Sequence, residues 1–401
     1  MGVETMFADI SAIGRDARSN GYLRYAWTSE DSELADWFEG EARRRGLDYQ
    51  VDRCGNQWAW MGSPSKSRRG VVVGSHLDSV PHGGAFDGPL GVISSFLAFD
   101  ALISNGALPS TPVGIVRFRD EEGARFGVAC AGSRLLVGKL APARALALRD
   151  DLGVTMAEAM AAAGIDVEEV GSDGEMLELV GCFVELHVEQ GRDLVYQERP
   201  VGLATHIWPH GRFQGSCSGQ ANHAGTTRMQ DRSDALVAAA RVILEVEQVA
   251  KDVDVLATVG RLEIEPNGIN AIAGEVNIHL DLRAPNADRF ELALAEIGQR
   301  TGLTFQTISL TPVTVFDDSL RALLGEHLDL PLVGTGAGHD AGVMSEAGIP
   351  TAMLFVRNES GISHSPVEFA TVSDCEAGVV ALAETVRLLS TSVGSRFLGL
   401  A

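Results

Sequence analysis

Three short strand-like runs, each ending in a cluster of polar residues, constrain this chain more than any other feature. Val71–Val73 leads into GSHLDSVPHGGAFDG (Gly74–Gly88), Val113–Phe118 into RDEEG, and Cys182–Leu186 into HVEQG. The first, apolar and β-branched, reads as a short buried strand, and the other two are strand-like. The apolar segment Leu90–Leu102 lies between the first two, giving the strand, helix, strand rhythm of an open α/β sheet. Loops leaving strand ends are where such sheets place their chemistry. Here those ends carry His76, Asp87, Glu121, Glu122, His187 and Glu189.

Imidazoles and carboxylates gathered from separate strand ends suit Zn²⁺ or a similar divalent ion. A site for two ions about 3.5–4 Å apart needs one carboxylate that bridges them. Asp87, flanked by Gly83, Gly84 and Gly88, sits where the backbone can turn tightly and is the candidate bridge. If the chain is still extended past the first strand, its period of two puts His76 and Asp78 on one side, so that the carboxylate reaches the imidazole from behind. Glu121 and Glu122 are adjacent in sequence and so do not easily perform the same task. One suits a metal, and the other a base facing the substrate. His364 in GISHSPVE, Gly361–Glu368, lies beyond a further strand and adds another imidazole.

The formal net charge of −22 argues against a nucleic-acid or anionic-membrane surface. It also means that an anionic substrate needs a local Arg or His to reverse the field. Five scattered cysteines without C-x-x-C spacing fit reduced, buried thiols and a cytoplasmic protein. The start, MGVETMFADI, lacks the basic and apolar regions of a signal peptide. No run approaches the ~20 apolar residues of a membrane span.

From Gly211 to about Pro312 the rhythm changes to strand, helix, two strands, helix, strand, the ferredoxin-like order. The strand-and-helix pattern of the first part then returns near Ser319–His327, Thr351–Val356 and Ala377–Ser390. The expected organisation is a discontinuous catalytic domain, 1–210 and 316–401, interrupted by an inserted domain, 211–315.

GSHLDS, GGAFDG, DEEGARF, ELHVEQG, ANHAGTT, GHDA and GISHSP occur in this order across nearly the whole chain. Together they resemble the dinuclear-metal amidases that include N-carbamoyl-L-amino acid hydrolases and allantoate amidohydrolases, relatives of the aminoacylase and carboxypeptidase G type metallopeptidases. The resemblance implies a zinc-peptidase-like α/β domain, with a mixed central sheet flanked by helices, and an inserted ferredoxin-like α+β domain serving as lid and dimer contact. It implies two divalent ions, Zn²⁺ or Mn²⁺, Co²⁺ or Ni²⁺, one held by His76, Asp87 and His187 and the other by Asp87, Glu122 and His364. Glu121 is then the general base and Asp78 the residue orienting His76. A histidine at position 187, where most of the peptidases carry an acid, favours a ureido substrate over a peptide.

In the inserted domain the resemblance assigns Arg283 and Asn270 to the substrate carboxylate and His223 to the developing oxyanion. A planar guanidinium suits the first task and a fixed donor the second. Gln190, Arg357 and Gly361 are candidates for touching substrate, and His339 and Asp340 for lining the site. His82, His206, His210, His279 and His327 read as structural or exposed. Arg228 departs from the pattern, because many relatives have proline after the two threonines. The implied reaction is hydrolysis of an N-carbamoyl-L-amino acid or allantoate, with water deprotonated by Glu121, in an enzyme that opens and closes and pairs as a homodimer. Two other readings stand beside it: an N-acyl amino acid hydrolase or dipeptidase using the same metals, and a non-catalytic small-molecule binding protein.

Overall fold

The run Val71–Val73 forms the middle of a buried strand in a computed structural model that describes residues 2–106, 109–391 and 394–398. In chain order the first strands are β1 Asp48–Val51, β2 Gln57–Met61, β3 Gly70–His76, β4 Val113–Phe118, β5 Val180–Val188 and β6 Val201–Ile207. Next come β7 His210–Ser218, β8 Asn222–His223, β9 Leu256–Glu265, β10 Ala271–Ile272, β11 Glu275–Arg283 and β12 Gln306–Thr311. The chain ends with β13 Thr314–Val315, β14 Leu332–Thr335 and β15 Thr351–Val356. It divides into two compact units, the second made of His206–Thr314 and Gly334–Ala337 and the first of the remainder.

The central sheet has the order β1-β2-β4-β3-β5-β15-β6-β13, with β14 also paired to β6. Its middle, β4-β3-β5-β15, is parallel, and the β1–β2, β2–β4 and β15–β6 pairs are antiparallel. Every residue of β3, β4, β5 and β15 is buried, as expected of parallel strands covered on both faces. The helix Pro89–Ser104 starts with proline at its first turn, where a missing N–H costs nothing. Twelve of its 16 residues are buried, so most of the helix belongs in the interior. It packs on β3, β4, β5 and the helix Val372–Leu389.

The helix Ser29–Arg44 is capped by Thr28, whose side chain accepts the Asp31 N–H. Asp31 is itself buried, and its carboxylate accepts from Arg117, Arg119 and the Trp27 N–H. Arg117 also donates to Gln57 Oε1 at 2.6 Å. This buried network fixes the end of β4, two residues before the DEEG segment.

In the second unit the sheet order β12-β7-β11-β9 is antiparallel throughout. With the helices Ala235–Val253 and Ala287–Thr301 it gives the ferredoxin-like arrangement. Val276, Ile278, Leu280 and Leu282 of β11 enter the core under the helices, while His279, Asp281 and Arg283 alternate to the other face. All five cysteines are buried and free. Among the described residues no helix is long and apolar enough to cross a membrane.

Candidate active site

Four parallel strands end on the same side of the sheet, and their loops carry the charged residues. His76 is the last residue of β3, and its Nδ1 lies 3.1 Å from the carbonyl oxygen of Asp78. On β5, His187 Nδ1 lies 2.9 Å from the Val188 carbonyl. A carbonyl only accepts, so each Nδ1 carries the proton and each Nε2 is left to bind a ligand. The two imidazoles are inclined to each other by 28°, with centroids 5.8 Å apart. Asp87 Oδ1 lies 3.5 Å from His76 Nε2 and 3.1 Å from His187 Nε2. Its other oxygen, Oδ2, lies 3.5 Å from His364 Nε2, which is 3.6 Å from Glu122 Oε2. One carboxylate thus faces two groups of donors through its two oxygens.

The turn that holds Asp87 depends on Gly88. Its φ is +84°, and a Cβ there would lie 2.4 Å from His76 Cε1. Only glycine meets both conditions. On the other side, Asp120 has a φ of +56° and turns the chain out of β4. The N–H groups of Glu121 and Glu122 then donate to Asp78 Oδ1 and Oδ2 at 3.2 and 3.0 Å. Asp78 therefore reaches His76 chiefly through its backbone carbonyl, with its carboxylate 3.6 Å away, and uses that carboxylate to anchor the two glutamates. Glu121 is 6% exposed, and its Oε2 lies 3.8 Å from His76 Nε2. Its Oε1 accepts from the Cys130 thiol at 3.3 Å.

The donor set fits a divalent cation. The ligand atoms of His76, Asp87 and His187 lie within 4.8 Å of one another, as do those of Asp87, Glu122 and His364. His76 Nε2, His187 Nε2 and Glu122 Oε1 are buried without a hydrogen-bond partner, a costly state unless something binds them. The charges point the same way. Burial, Glu122, Asp340 and Asp78 push the Glu121 carboxyl well above its usual range against the pull of His76. Burial and Asp87 push Glu122 up to about 8. Burial would raise Asp87 too, but His187 and His76 hold it well below its usual range. Crowded buried carboxylates of this kind call for added positive charge.

Gln190 turns to the metal-ligand candidates: its Nε2 donates to Asp87 Oδ2 at 2.8 Å and lies 3.3 Å from both Ser363 Oγ and His364 Nε2. The N–H of Gly361 is taken up by Asn358 Oδ1 at 3.1 Å, and Arg357 is paired with Asp374. His339 is buried, with its ring centroid 4.5 Å from that of His187, and Asp340 accepts from Ser133 at 2.5 Å. Both line the cluster from beneath. Glu185 joins them there, accepting from Ser75 Oγ and the Ala341 N–H at 2.7 and 2.8 Å. Glu185, Cys130 and Glu368 are contributors that the sequence reading did not single out. The acidic end of GISHSPVE was a signal for the last; a lone cysteine or a mid-strand glutamate offers none.

The second unit holds the other three candidates. Arg283 bonds Asp281 Oδ1 at 2.8 Å and the Gly336 carbonyl at 2.7 Å, and its side chain is 32% exposed. His223, on β8, pairs with Ala271 of β10, next to Asn270, whose carbonyl accepts the Ala224 N–H. His223 Nδ1 accepts the Gly225 N–H at 3.0 Å, so the neutral ring carries its proton on Nε2 and can donate it. Arg228 is exposed and precedes a short 3₁₀ turn, Met229–Asp231.

Residues 72–388 match peptidase family M20/M25/M40. The chain is 35% identical over 393 residues to an N-carbamoyl-L-amino acid amidohydrolase of Geobacillus stearothermophilus, covering 94% of this chain and 95% of that one. It is 31% identical to an allantoate amidohydrolase of Bacillus subtilis, covering 92% and 93%. Among solved structures, a hydantoinase/carbamoylase family amidase from Burkholderia multivorans superposes with a TM-score of 0.83 at 30% identity, covering 96% of each chain. The chain therefore belongs to peptidase family M20/M25/M40, a family of metal-dependent hydrolases, and within it to the amidases that include the N-carbamoyl-L-amino acid and allantoate amidohydrolases.

Proposed function

We propose that this protein hydrolyses the ureido group of a small carboxylate, either an N-carbamoyl-L-amino acid or allantoate. Water adds to the ureido carbonyl and the C–N bond to the parent amine breaks. The carbamate formed decomposes to ammonia and carbon dioxide. The observation that carries this reading is the pairing of two donor triads through Asp87 with a buried Glu121 that belongs to neither triad. Binding alone would need no base beside the ligands.

In this proposal His76, Asp87 and His187 hold one divalent ion and Asp87, Glu122 and His364 a second, Zn²⁺ or Mn²⁺, Co²⁺ or Ni²⁺. Bound there, the ions supply a more acidic water and a positive charge for the oxyanion. Glu121 takes the proton of the attacking water and returns it to the departing nitrogen. Cys130 and the Asp78 carboxylate hold Glu121 by its side chain and its N–H. The second unit supplies Arg283 and Asn270 for the substrate carboxylate and His223 Nε2–H for the oxyanion. That unit also serves as the lid and as the contact of a homodimer. The free, buried thiols suit the reducing cytoplasm, where we place the protein.

The test is ammonia release from allantoate, a panel of N-carbamoyl-L-amino acids and N-carbamoyl-β-alanine, using metal-stripped protein reloaded with Zn²⁺ or Mn²⁺. Turnover of one of them, lost by about 10²–10⁴-fold in Glu121→Gln with metal content unchanged, is the expected result. Silence across the panel with metal bound would refute the ureido assignment and favour an N-acyl amide.

A further inference from the structure

Glu368 is a carboxylate only 4% exposed, at the end of the GISHSPVE stretch and 281 residues from Asp87 in sequence. Its Oε1 accepts two consecutive backbone N–H groups, those of Phe86 and Asp87, both at 2.9 Å. Its Oε2 lies 2.8 Å from Ser363 Oγ, and that hydroxyl lies 3.1 Å from Asp87 Oδ2. Glu368 therefore meets Asp87 directly at the backbone, and the two carboxylates flank one hydroxyl, whose single proton bonds one of them at a time. The approach is close, since a Cβ on Gly84 would lie 2.4 Å from Glu368 Cβ and 2.5 Å from its Oε1.

A charged group is expensive to bury unless several donors meet it. Here the donors are the backbone of the turn that carries Asp87. Two bonds to neighbouring N–H groups set the orientation of the peptide between them, and so the direction in which Asp87 leaves the chain. Asp87 stands in both donor triads, whereas His76, His187, Glu122 and His364 each stand in one of these two. An error in its direction would disturb both at once.

We infer that Glu368 is a positioning residue for Asp87, fixing from the C-terminal part of the chain the carboxylate that two metal ions share. This rests on the reading of Asp87 as a metal ligand. The role differs from that of a ligand, because Glu368 meets Asp87 and Ser363 and belongs to neither triad.

The experiment is calorimetric titration of Zn²⁺ into metal-free full-length protein, with thermal unfolding of the same metal-free samples. The variants are Glu368→Ala, Glu368→Gln, Ser363→Ala and Asp87→Ala. Glu368→Ala should weaken binding at both sites by about 10–100-fold, with little change in the unfolding temperature of the metal-free protein. Glu368→Gln retains an oxygen for both N–H groups and should stay within about threefold of wild type. Zn²⁺ affinity unchanged in Glu368→Ala would overturn the inference. So would a loss of stability in the metal-free protein with affinity intact, which is the mark of a strut in the fold. If Glu368→Ala does not fold, Ser363→Ala carries the test through the shared hydroxyl: weakened binding supports the inference and unchanged binding at both sites refutes it. Full affinity in Asp87→Ala would instead refute the ligand reading itself.

Discussion

Replacing Asp31 by asparagine should destabilise the first unit by about 3–5 kcal/mol, the cost of breaking a buried ion pair by removing one partner. The Asp31 and Arg117 side chains are each 1% exposed and that of Arg119 is 8%, so water cannot replace the lost charge. Asparagine keeps the shape and one acceptor for Arg119 and the Trp27 N–H but turns an NH2 group toward Arg117, so the loss combines the charge with one hydrogen bond. It leaves two guanidinium groups with no other carboxylate paired to either among the described residues. The assay is urea unfolding followed by tryptophan emission. Four of the five tryptophans, Trp27, Trp37, Trp58 and Trp60, lie in the first unit, so the signal reports mainly on that unit. Burial alone would raise the Asp31 carboxyl above its ordinary 3.8, but Arg119 and Arg117 override it and hold the group lower. A lowered folded-state pKa gives stability that is present above the ordinary value and lost as the pH falls through the folded one. The gap between wild type and Asp31→Asn should therefore narrow below pH 3.8. A loss under about 1 kcal/mol, the size typical of a surface pair, would refute the reasoning. A triple variant, Asp31→Leu with Arg117→Met and Arg119→Met, removes every charge and should recover most of the stability.

Gly88→Ala should abolish tight metal binding, because its Cβ would lie 2.4 Å from His76 Cε1 at a φ of +84°; metal content after dialysis checks this. Cys130→Ala removes the thiol, a weak donor, that bonds Glu121 and should lower kcat about 2–10-fold with KM unchanged, the worth of one weak hydrogen bond. Cys130→Ser should restore the rate. Arg283→Lys replaces a planar fork by a point charge and should raise KM for the carboxylate substrate about tenfold or more while changing kcat little. Chelation should lower the unfolding temperature, and titrating metal back should raise stability by about 2.7 kcal/mol once free metal exceeds Kd 100-fold.

Much of the fold is legible in the sequence because its strands are buried on both faces. The apolar run Val113–Phe118 is interrupted only by Arg117 and Thr351–Val356 only by its first residue, and the structure begins and ends both strands there. Strand β14 and the helix Asp340–Glu346 were not legible. One is four residues long, and the other follows the glycine-rich GTGAGH, where local preference favours turns and tertiary packing decides. At the candidate site, residue types and their places at strand ends can be read from sequence, but the direction of each side chain cannot. Asp78 turns its carboxylate to the Glu121 and Glu122 N–H groups, and Gln190 turns its amide to Asp87. Period-two arguments do not reach past the end of a strand. Glu368 shows the same limit at long range, since its partners lie 281 and 282 residues away.

That separation also sets a timetable for biosynthesis. When translation has just passed Thr351, the growing polypeptide already holds His76, Asp87, Glu121, Glu122 and His187, but not Ser363, His364 or Glu368. Every contact that ties the Asp87 turn to the C-terminal part of the chain is still missing. The candidate ligand His364 and its neighbours Ser363 and Glu368 are thus added only after the whole of His206–Thr314 has been made. A nascent chain that has just passed Thr351 carries one of the two triads that share Asp87, that of His76, Asp87 and His187, without the two bonds that Glu368 accepts from the turn of Asp87.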